Sequence, residues 1–144
     1  MKKLILGIIT GIILLSNTIF ANSIIGNITQ TANIYNSVPC TVAGTDIIIP
    51  CRGMVEFELR GNNKIKFKTI MTQNLIGTTN TVMVYLDGQL ISYKTAFLDN
   101  IPEDYFVEFP KSEGKVWISF TSILPNFAGY SDLTTMIINN PEFY

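Results

Sequence analysis

Apolar and polar residues alternate with a period of two along residues 22–38, a stretch that runs N-S-I-I-G-N-I-T-Q-T-A-N-I-Y-N-S-V. One side of an extended chain carries Ile24, Gly26, Ile28, Gln30, Ala32 and Ile34, and the other carries Asn27, Thr29, Thr31 and Asn33. This alternation predicts a strand with one buried face. A strand at this end of the chain can pair within its own sheet or with a neighbouring molecule.

The same period continues along residues 55–70 and is interrupted by three turn residues, 61–63. A hairpin closed on that turn predicts two core pairs and two pairs on the wet face: Leu59–Ile65, Phe57–Phe67, Glu58–Lys66 and Glu56–Lys68. An anion-binding patch on Lys64, Lys66 and Lys68 is the alternative interpretation. The facing glutamates would neutralise that patch, so we expect a solvated sheet face.

Two further hairpins are predicted. Residues 81–86 and 89–93 flank Asp87-Gly88, a strong hairpin signal. Residues 105–109 and 116–120 flank a turn at 111–114, and this register sets Val107 opposite Ile118 and Tyr105 opposite Phe120, with Trp117 on the other face. No helix-length amphipathic pattern follows residue 21. Many short strands separated by turns predict an all-β chain folded as a β-sandwich.

Residues 1–21 have the pattern of a secretory signal peptide: Lys2 and Lys3, an apolar run over residues 4–15, and a small residue, Ala21, at the end. The apolar run is shorter than the roughly 20 residues that a membrane-spanning helix needs. We therefore expect export through the inner membrane. Of the 10 basic side chains, two leave with the signal peptide, so 8 remain against 11 acidic ones, a net charge of −3. This balance does not favour a nucleic-acid partner.

Cys40 and Cys51 are the only cysteines, and in an exported chain they predict a disulfide. A bridge that closes so short a loop would stabilise the fold by about 3 kcal/mol. Zinc binding is disfavoured because the chain has no histidine and two thiols alone make a poor site.

The sequence does not favour catalysis. Without histidine, the commonest general base and the Ser-His and Cys-His nucleophile pairs are missing. Two carboxylate pairs, Glu103-Asp104 and Glu56 with Glu58, lack the apolar surroundings that would raise one pKa for glycoside hydrolysis. There is no glycine-rich phosphate loop and no acidic calcium loop. We expect a protein without enzymatic activity and without a metal or cofactor.

Three segments together resemble chaperone–usher pilus subunits, particularly the spore coat protein U and colonization-factor branches. The first is N-I-T-Q-T-A-N-I at residues 27–34, followed by C-T-V-A at 40–43. The second is K-T-I-M-T-Q at 68–73 with V-M-V-Y-L at 82–86, and the third is A-G-Y-S-D-L-T-T-M-I-I at 128–138.

The resemblance implies an immunoglobulin-like sandwich that lacks its last strand. In that family a periplasmic chaperone fills the open groove first, and the N-terminal extension of the next subunit then replaces it by β-strand addition. Residues 22–29 would be the donor strand, with Ile24, Gly26 and Ile28 as subunit contacts, and residues 30–144 the pilin-like domain. The implied partners are copies of the chain or related subunits, a chaperone and an outer-membrane usher. The implied destination, after the periplasm, is a fimbria on the cell surface.

A second hypothesis is a self-contained secreted β-sandwich that binds a carbohydrate or a host protein. Trp117, Tyr130 and Tyr85 are the candidate aromatic contacts, because an exposed ring can stack on a sugar. A tryptophan in a small sandwich is also a common core residue, so this assignment needs the tertiary structure.

Overall fold

A computed structural model describes residues 22–33, 38–73, 75–95, 99–125 and 129–144. Two antiparallel sheets enclose one hydrophobic core, which confirms the predicted all-β sandwich. The predicted signal peptide, residues 1–21, lies outside the described residues. Within the described ranges, no helix is long and apolar enough to cross a membrane.

The described chain forms short strands and one turn of 3-10 helix. In chain order they are β1 (Asn22–Ser23), the 3-10 helix (Ile24–Asn27), β2 (Ile28–Asn33), β3 (Thr41–Ala43), β4 (Asp46–Pro50), β5 (Gly53–Arg60), β6 (Lys64–Thr72), β7 (Thr79–Leu86), β8 (Gln89–Thr95), β9 (Glu103–Glu108), β10 (Glu113–Ile123) and β11 (Thr135–Phe143). Sheet A has the order β3-β4-β11-β6-β9, with β1 also paired to β11. Sheet B has the order β2-β5-β10-β7-β8.

The core lies between the sheets and is built from alternate residues of each strand. The rings of Phe57 on β5 and Phe143 on β11 meet edge to face across it, with centroids 5.7 Å apart. The predicted buried faces are confirmed in these strands: the side chains that point inward and are buried include Val55, Phe57, Leu59, Ile65, Phe67, Val116, Ile118 and Phe120.

The predicted hairpin over residues 55–70 is wrong. β5 belongs to sheet B and β6 to sheet A, so the turn at 61–63 carries the chain from one sheet to the other. Lys66 pairs with Glu142 of β11 at 3.1 Å, and Glu58 pairs with Arg60 of its own strand at 2.8 Å. A strand that crosses between the layers still points its apolar face at the shared core. The alternation is therefore the same in a crossing and in a hairpin.

The predicted hairpin over residues 105–120 is wrong for the same reason. β9 pairs with β6 in sheet A, whereas β10 lies at the centre of sheet B between β5 and β7. The hairpin between β7 and β8 is confirmed. Its two turn residues, Asp87 and Gly88, have φ values of 48° and 82°, and two successive positive φ values define the turn that suits the twist of a β-hairpin.

The N-terminal segment closes the sandwich from within the same chain. β1 pairs with β11 in sheet A, β2 pairs with β5 in sheet B, and the 3-10 helix connects them. Ile24 is fully buried in the core, and Ile28 packs against it. Gly26 is exposed, with open space where a Cβ would lie. Residues 22–29, predicted as a donor strand, thus occupy a place in the chain's own sheets.

Candidate functional site

A groove of about 560 Å³ runs over the outer face of sheet A. Its floor is formed by neighbouring strands β11, β6 and β9, whose registers align outward-pointing side chains in rows across the sheet. Two rows form the lining: Glu142–Lys66–Phe106 and Asn139–Lys68–Asp104.

Two aromatic rings lie on the outer face at this site: Phe106 lines the groove, and Tyr144 packs against Phe106 beside it. Neighbouring residues on a strand point to opposite faces. Tyr105 is therefore buried while Phe106 is 53% exposed. At the end of β11, Phe143 is likewise buried while the following Tyr144 is 40% exposed. The rings of Phe106 and Tyr144 meet with centroids 5.3 Å apart and an angle of 53° between their planes.

Charged groups border the two rings. The ammonium of Lys66 lies 3.1 Å from the carboxylate of Glu142 and 5.7 Å from the centroid of the Tyr144 ring. A cation over an aromatic face is attracted by the ring's quadrupole. Lys68 lies in register between Asn139 and Asp104 and forms no ion pair with another of the described residues.

A β-bulge shapes the β11 side of the groove. The register with β6 shifts between Asn139 and Glu142, and Asn140 has a φ of 47°. Bulges commonly re-aim side chains at functional sites. Here the Asn140 amide donates to Glu142 at 2.8 Å, and the Asn139 amide donates to Asp46 at 2.7 Å. Both amides are thereby held at the groove.

This arrangement is suited to a ligand that is apolar on one face and polar at its edges. The two rings present apolar faces, and the ammonium, carboxylate and amide groups supply hydrogen-bond donors and acceptors. Binding sites for small ligands commonly combine such surfaces in a concave groove. Across the described part of the chain, no group of three or more Cys, Asp or Glu side chains is placed to hold a metal ion.

Two of the predicted ligand contacts, Trp117 and Tyr85, lie together on the outer face of sheet B. They are cross-strand partners on β10 and β7, with ring centroids 6.4 Å apart. Both are half-buried. The Trp117 indole donates to Glu56, and the Tyr85 hydroxyl donates to the sulfur of Met83 at 3.2 Å. Their polar atoms are thus engaged within the sheet.

The third predicted contact, Tyr130, lies elsewhere. It precedes β11, forms an isolated bridge with Ile123 and is 47% exposed. The guanidinium of Arg52 lies 4.8 Å from the centre of its ring and 2.8 Å from Asp132. The structure therefore does not bring the three predicted aromatic residues into one site.

The groove on sheet A was missed by sequence reasoning, although part of its signal was present. Two adjacent aromatic residues on one strand, Tyr105 and Phe106, require that one of them faces outward. Phe143 and Tyr144 give the same signal. Nothing in the local pattern shows that the two outward rings meet, because β6 lies between their strands only in the folded sheet.

The predicted disulfide between Cys40 and Cys51 is not formed in the structure, where both are buried thiols. Cys40 Sγ lies 3.3 Å from the carbonyl oxygen of Ala32 on β2, and Cys51 Sγ accepts from the amide of Ser122 on β10 at 3.2 Å. β2 and β10 flank β5 on opposite sides, so the two sulfurs have contacts on different strands. Burial raises the pKa of both thiols.

No family model matches the chain, and no curated protein sequence does so. Among solved structures, it is similar to CBM51-2 in complex with GlcNAc and INT domains from Clostridium perfringens ZmpB. The TM-score is 0.57 at 10% identity, over 81% of this chain and 29% of that one.

The chain is also similar to CBM51 from Clostridium perfringens GH95 in complex with methyl-galactose, with a TM-score of 0.52 at 10% identity over 82% and 80% of the two chains. A third similar structure is the secreted serine protease VesC from Vibrio cholerae, with a TM-score of 0.53 at 13% identity over 85% of this chain and 26% of that one. At these identities the likeness shows a shared β-sandwich fold.

Proposed function

We propose that this chain is an exported β-sandwich module that binds a carbohydrate in the groove of sheet A. The observation that carries the proposal is the pair of exposed rings, Phe106 and Tyr144, beside the ion pair of Lys66 and Glu142. Carbohydrate binding is the second hypothesis drawn from the sequence, with Trp117, Tyr130 and Tyr85 as the ligand contacts. The function is kept here, and the contacts are assigned to Phe106 and Tyr144 instead.

The exposed rings have a physical consequence for binding. Each leaves apolar surface in water, and burying such surface is favourable by about 25 cal/mol per Å². A sugar ring can cover it with its C–H face while its hydroxyls reach the polar rim. Each hydroxyl is both donor and acceptor, which matches a rim that carries ammonium donors and carboxylate acceptors.

The similar structures guide the choice of ligands. Two of them are complexes, one with GlcNAc and one with methyl-galactose, and they share the sandwich fold with this chain. These two sugars are therefore the first to test, followed by a panel of glycans.

The test uses the chain from residue 22 onward and three matched variants. Phe106→Ala should weaken sugar binding at least about tenfold, equivalent to about 1.4 kcal/mol. Tyr130→Ala removes another exposed aromatic side chain, outside the groove, and should leave the affinity unchanged. Trp117→Ala tests the outer face of sheet B. Calorimetry or glycan-array binding measures all three.

The result can contradict the proposal in two ways. If no glycan binds the folded chain, carbohydrate binding is wrong. If Trp117→Ala abolishes binding while Phe106→Ala does not, the site lies on sheet B and the assignment to the groove is wrong.

A further inference from the structure

The charges in the groove are balanced. Its lining contains two ammonium groups, on Lys66 and Lys68, and two carboxylates, on Asp104 and Glu142. Just outside the lining, Lys64 and Glu108 form another balanced pair at 3.6 Å. The three lysines on the outer face of β6 are therefore matched by three nearby carboxylates, and this surface has no net positive charge.

The opposite charges are also interleaved. Lys66 has Glu142 at 3.1 Å, so its ammonium is already matched by a carboxylate. Lys68 has Asp104 as its direct cross-strand partner on β9. Adjacent strands lie about 4.8 Å apart, so an anion that approaches Lys68 also approaches the Asp104 carboxylate. Repulsion from Asp104 then offsets the attraction of Lys68.

A neutral hydroxyl meets no such conflict. It can accept a hydrogen bond from the Lys68 ammonium and donate one to the Asp104 carboxylate. Hydrogen bonds with one charged partner are stronger than those between neutral groups. The same row of the sheet that repels an acidic group therefore favours a hydroxyl.

From these contacts we infer that the groove selects neutral sugars over acidic ones, an inference that rests on the proposed carbohydrate-binding function. Asp104 is the residue that determines this selectivity, because it faces the lysine that would otherwise bind an acidic group. The Phe106 and Tyr144 rings serve either class of sugar equally, since they contact only its apolar face.

The experiment compares methyl-galactoside with methyl-galacturonide, two sugars that differ only in a hydroxymethyl group and a carboxylate. The folded chain should bind the neutral sugar at least about tenfold more tightly. Because no net charge attracts the neutral ligand, its affinity should change little between about 0.05 and 0.5 M salt.

A matched pair of variants tests the assigned residue. Asp104→Asn should raise the affinity for methyl-galacturonide at least about threefold and make it salt-dependent. Glu108→Gln makes the same change of charge on the same strand, outside the groove lining, and should have little effect.

The outcomes separate the two proposals. Binding of methyl-galactoside with equal or tighter binding of methyl-galacturonide overturns the selectivity and leaves the carbohydrate function standing. An equal gain from both variants also overturns it, because the effect would then come from overall charge. If neither these sugars nor the wider panel binds, the carbohydrate function itself is wrong.

Discussion

Trp117 and Glu56 are direct cross-strand partners in sheet B, and the indole Nε1 of Trp117 donates a hydrogen bond to Oε2 of Glu56. The hydroxyl of Thr29 donates to the other carboxylate oxygen at 2.8 Å. One carboxylate thus connects β10, β5 and β2. These donors hold the pKa of Glu56 below its ordinary value, with the bond from Trp117 as the largest cause.

This contact predicts a loss of stability in acid. Because folding lowers the pKa of Glu56, the carboxylate stabilises the fold above its ordinary pKa, and that contribution disappears as pH falls through the folded value. Glu56→Gln should therefore flatten the decline in unfolding free energy from neutral pH to about pH 3. Glu58→Gln, on the same strand but with a half-buried side chain that pairs with Arg60 of its own strand, should leave the slope unchanged. Urea titrations followed by fluorescence of the single tryptophan measure it, and equal slopes for Glu56→Gln and wild type would contradict the prediction.

Tyr105 predicts a loss of stability in alkali. Its hydroxyl lies 3.1 Å from the hydroxyl of Ser92. This hydrogen bond connects β9 of sheet A to β8 of sheet B. Burial raises the pKa of Tyr105. Above about pH 10 the unfolded chain ionises this residue first, so the free energy of unfolding falls as pH rises.

Tyr105→Phe should remove about 1 kcal/mol of stability at neutral pH and make the alkaline decline shallower. Tyr93→Phe, which changes a tyrosine that is 67% exposed, is the control and should alter neither quantity. Thermal unfolding between pH 7 and about pH 11 makes the comparison. A variant as pH-sensitive as wild type would show that Tyr105 is not responsible.

The burial of Ile24 predicts that the N-terminal segment contributes to the free energy of unfolding. The Ile24 side chain is fully buried, so Ile24→Ala should destabilise the monomer by about 2–5 kcal/mol. Ile76 is 99% exposed, and Ile76→Ala should change stability by less than about 0.5 kcal/mol. Chemical denaturation of the two variants gives both values.

The pilus-subunit hypothesis makes a different prediction for the same segment. If residues 22–29 serve another subunit, deleting them should abolish polymers and leave the chaperone-bound domain intact. If they act as in this structure, the deletion should unfold or strongly destabilise the monomer, because the core loses Ile24. Size-exclusion chromatography with denaturation of the deletion variant distinguishes the two results.

Two glycines form a matched pair for backbone constraint. Gly114 has a φ of 132°, and a Cβ there would lie 2.7 Å from a carboxylate oxygen of Asp87 and 2.9 Å from a methyl group of Leu86. Gly114→Ala should cost about 1–3 kcal/mol of stability. Gly26 has open space, so Gly26→Ala should change stability by less than about 0.5 kcal/mol. Assembly blocked by Gly26→Ala in a stable monomer would instead support a subunit contact at that residue.

The alternation of residues predicted the buried faces of β5, β6 and β10. It was wrong for the N-terminal segment, where residues 24–27 form a 3-10 helix and Gly26 and Gln30, expected on the buried face, are exposed. Val116 and Ile118 are buried and Trp117 lies on the other side of β10, as their spacing indicates. The same alternation says nothing about which strand lies next to which. The turn at Asp87-Gly88 was an exception, because two successive residues that tolerate positive φ are required only by a particular kind of hairpin.

In the groove of sheet A too, local sequence determines which side chains face outward, and the tertiary structure determines which of them meet. Adjacent aromatics at Tyr105 and Phe106 determine locally that one ring faces outward, since consecutive side chains on a strand point to opposite faces. The meeting of Phe106 with Tyr144, and of Lys66 with Glu142, depends on β6 lying between β9 and β11. The position of β6 between β9 and β11 is set by the packing of the two sheets around one core. Local periodicity cannot encode it, because every strand in either sheet presents the same alternating face to that core.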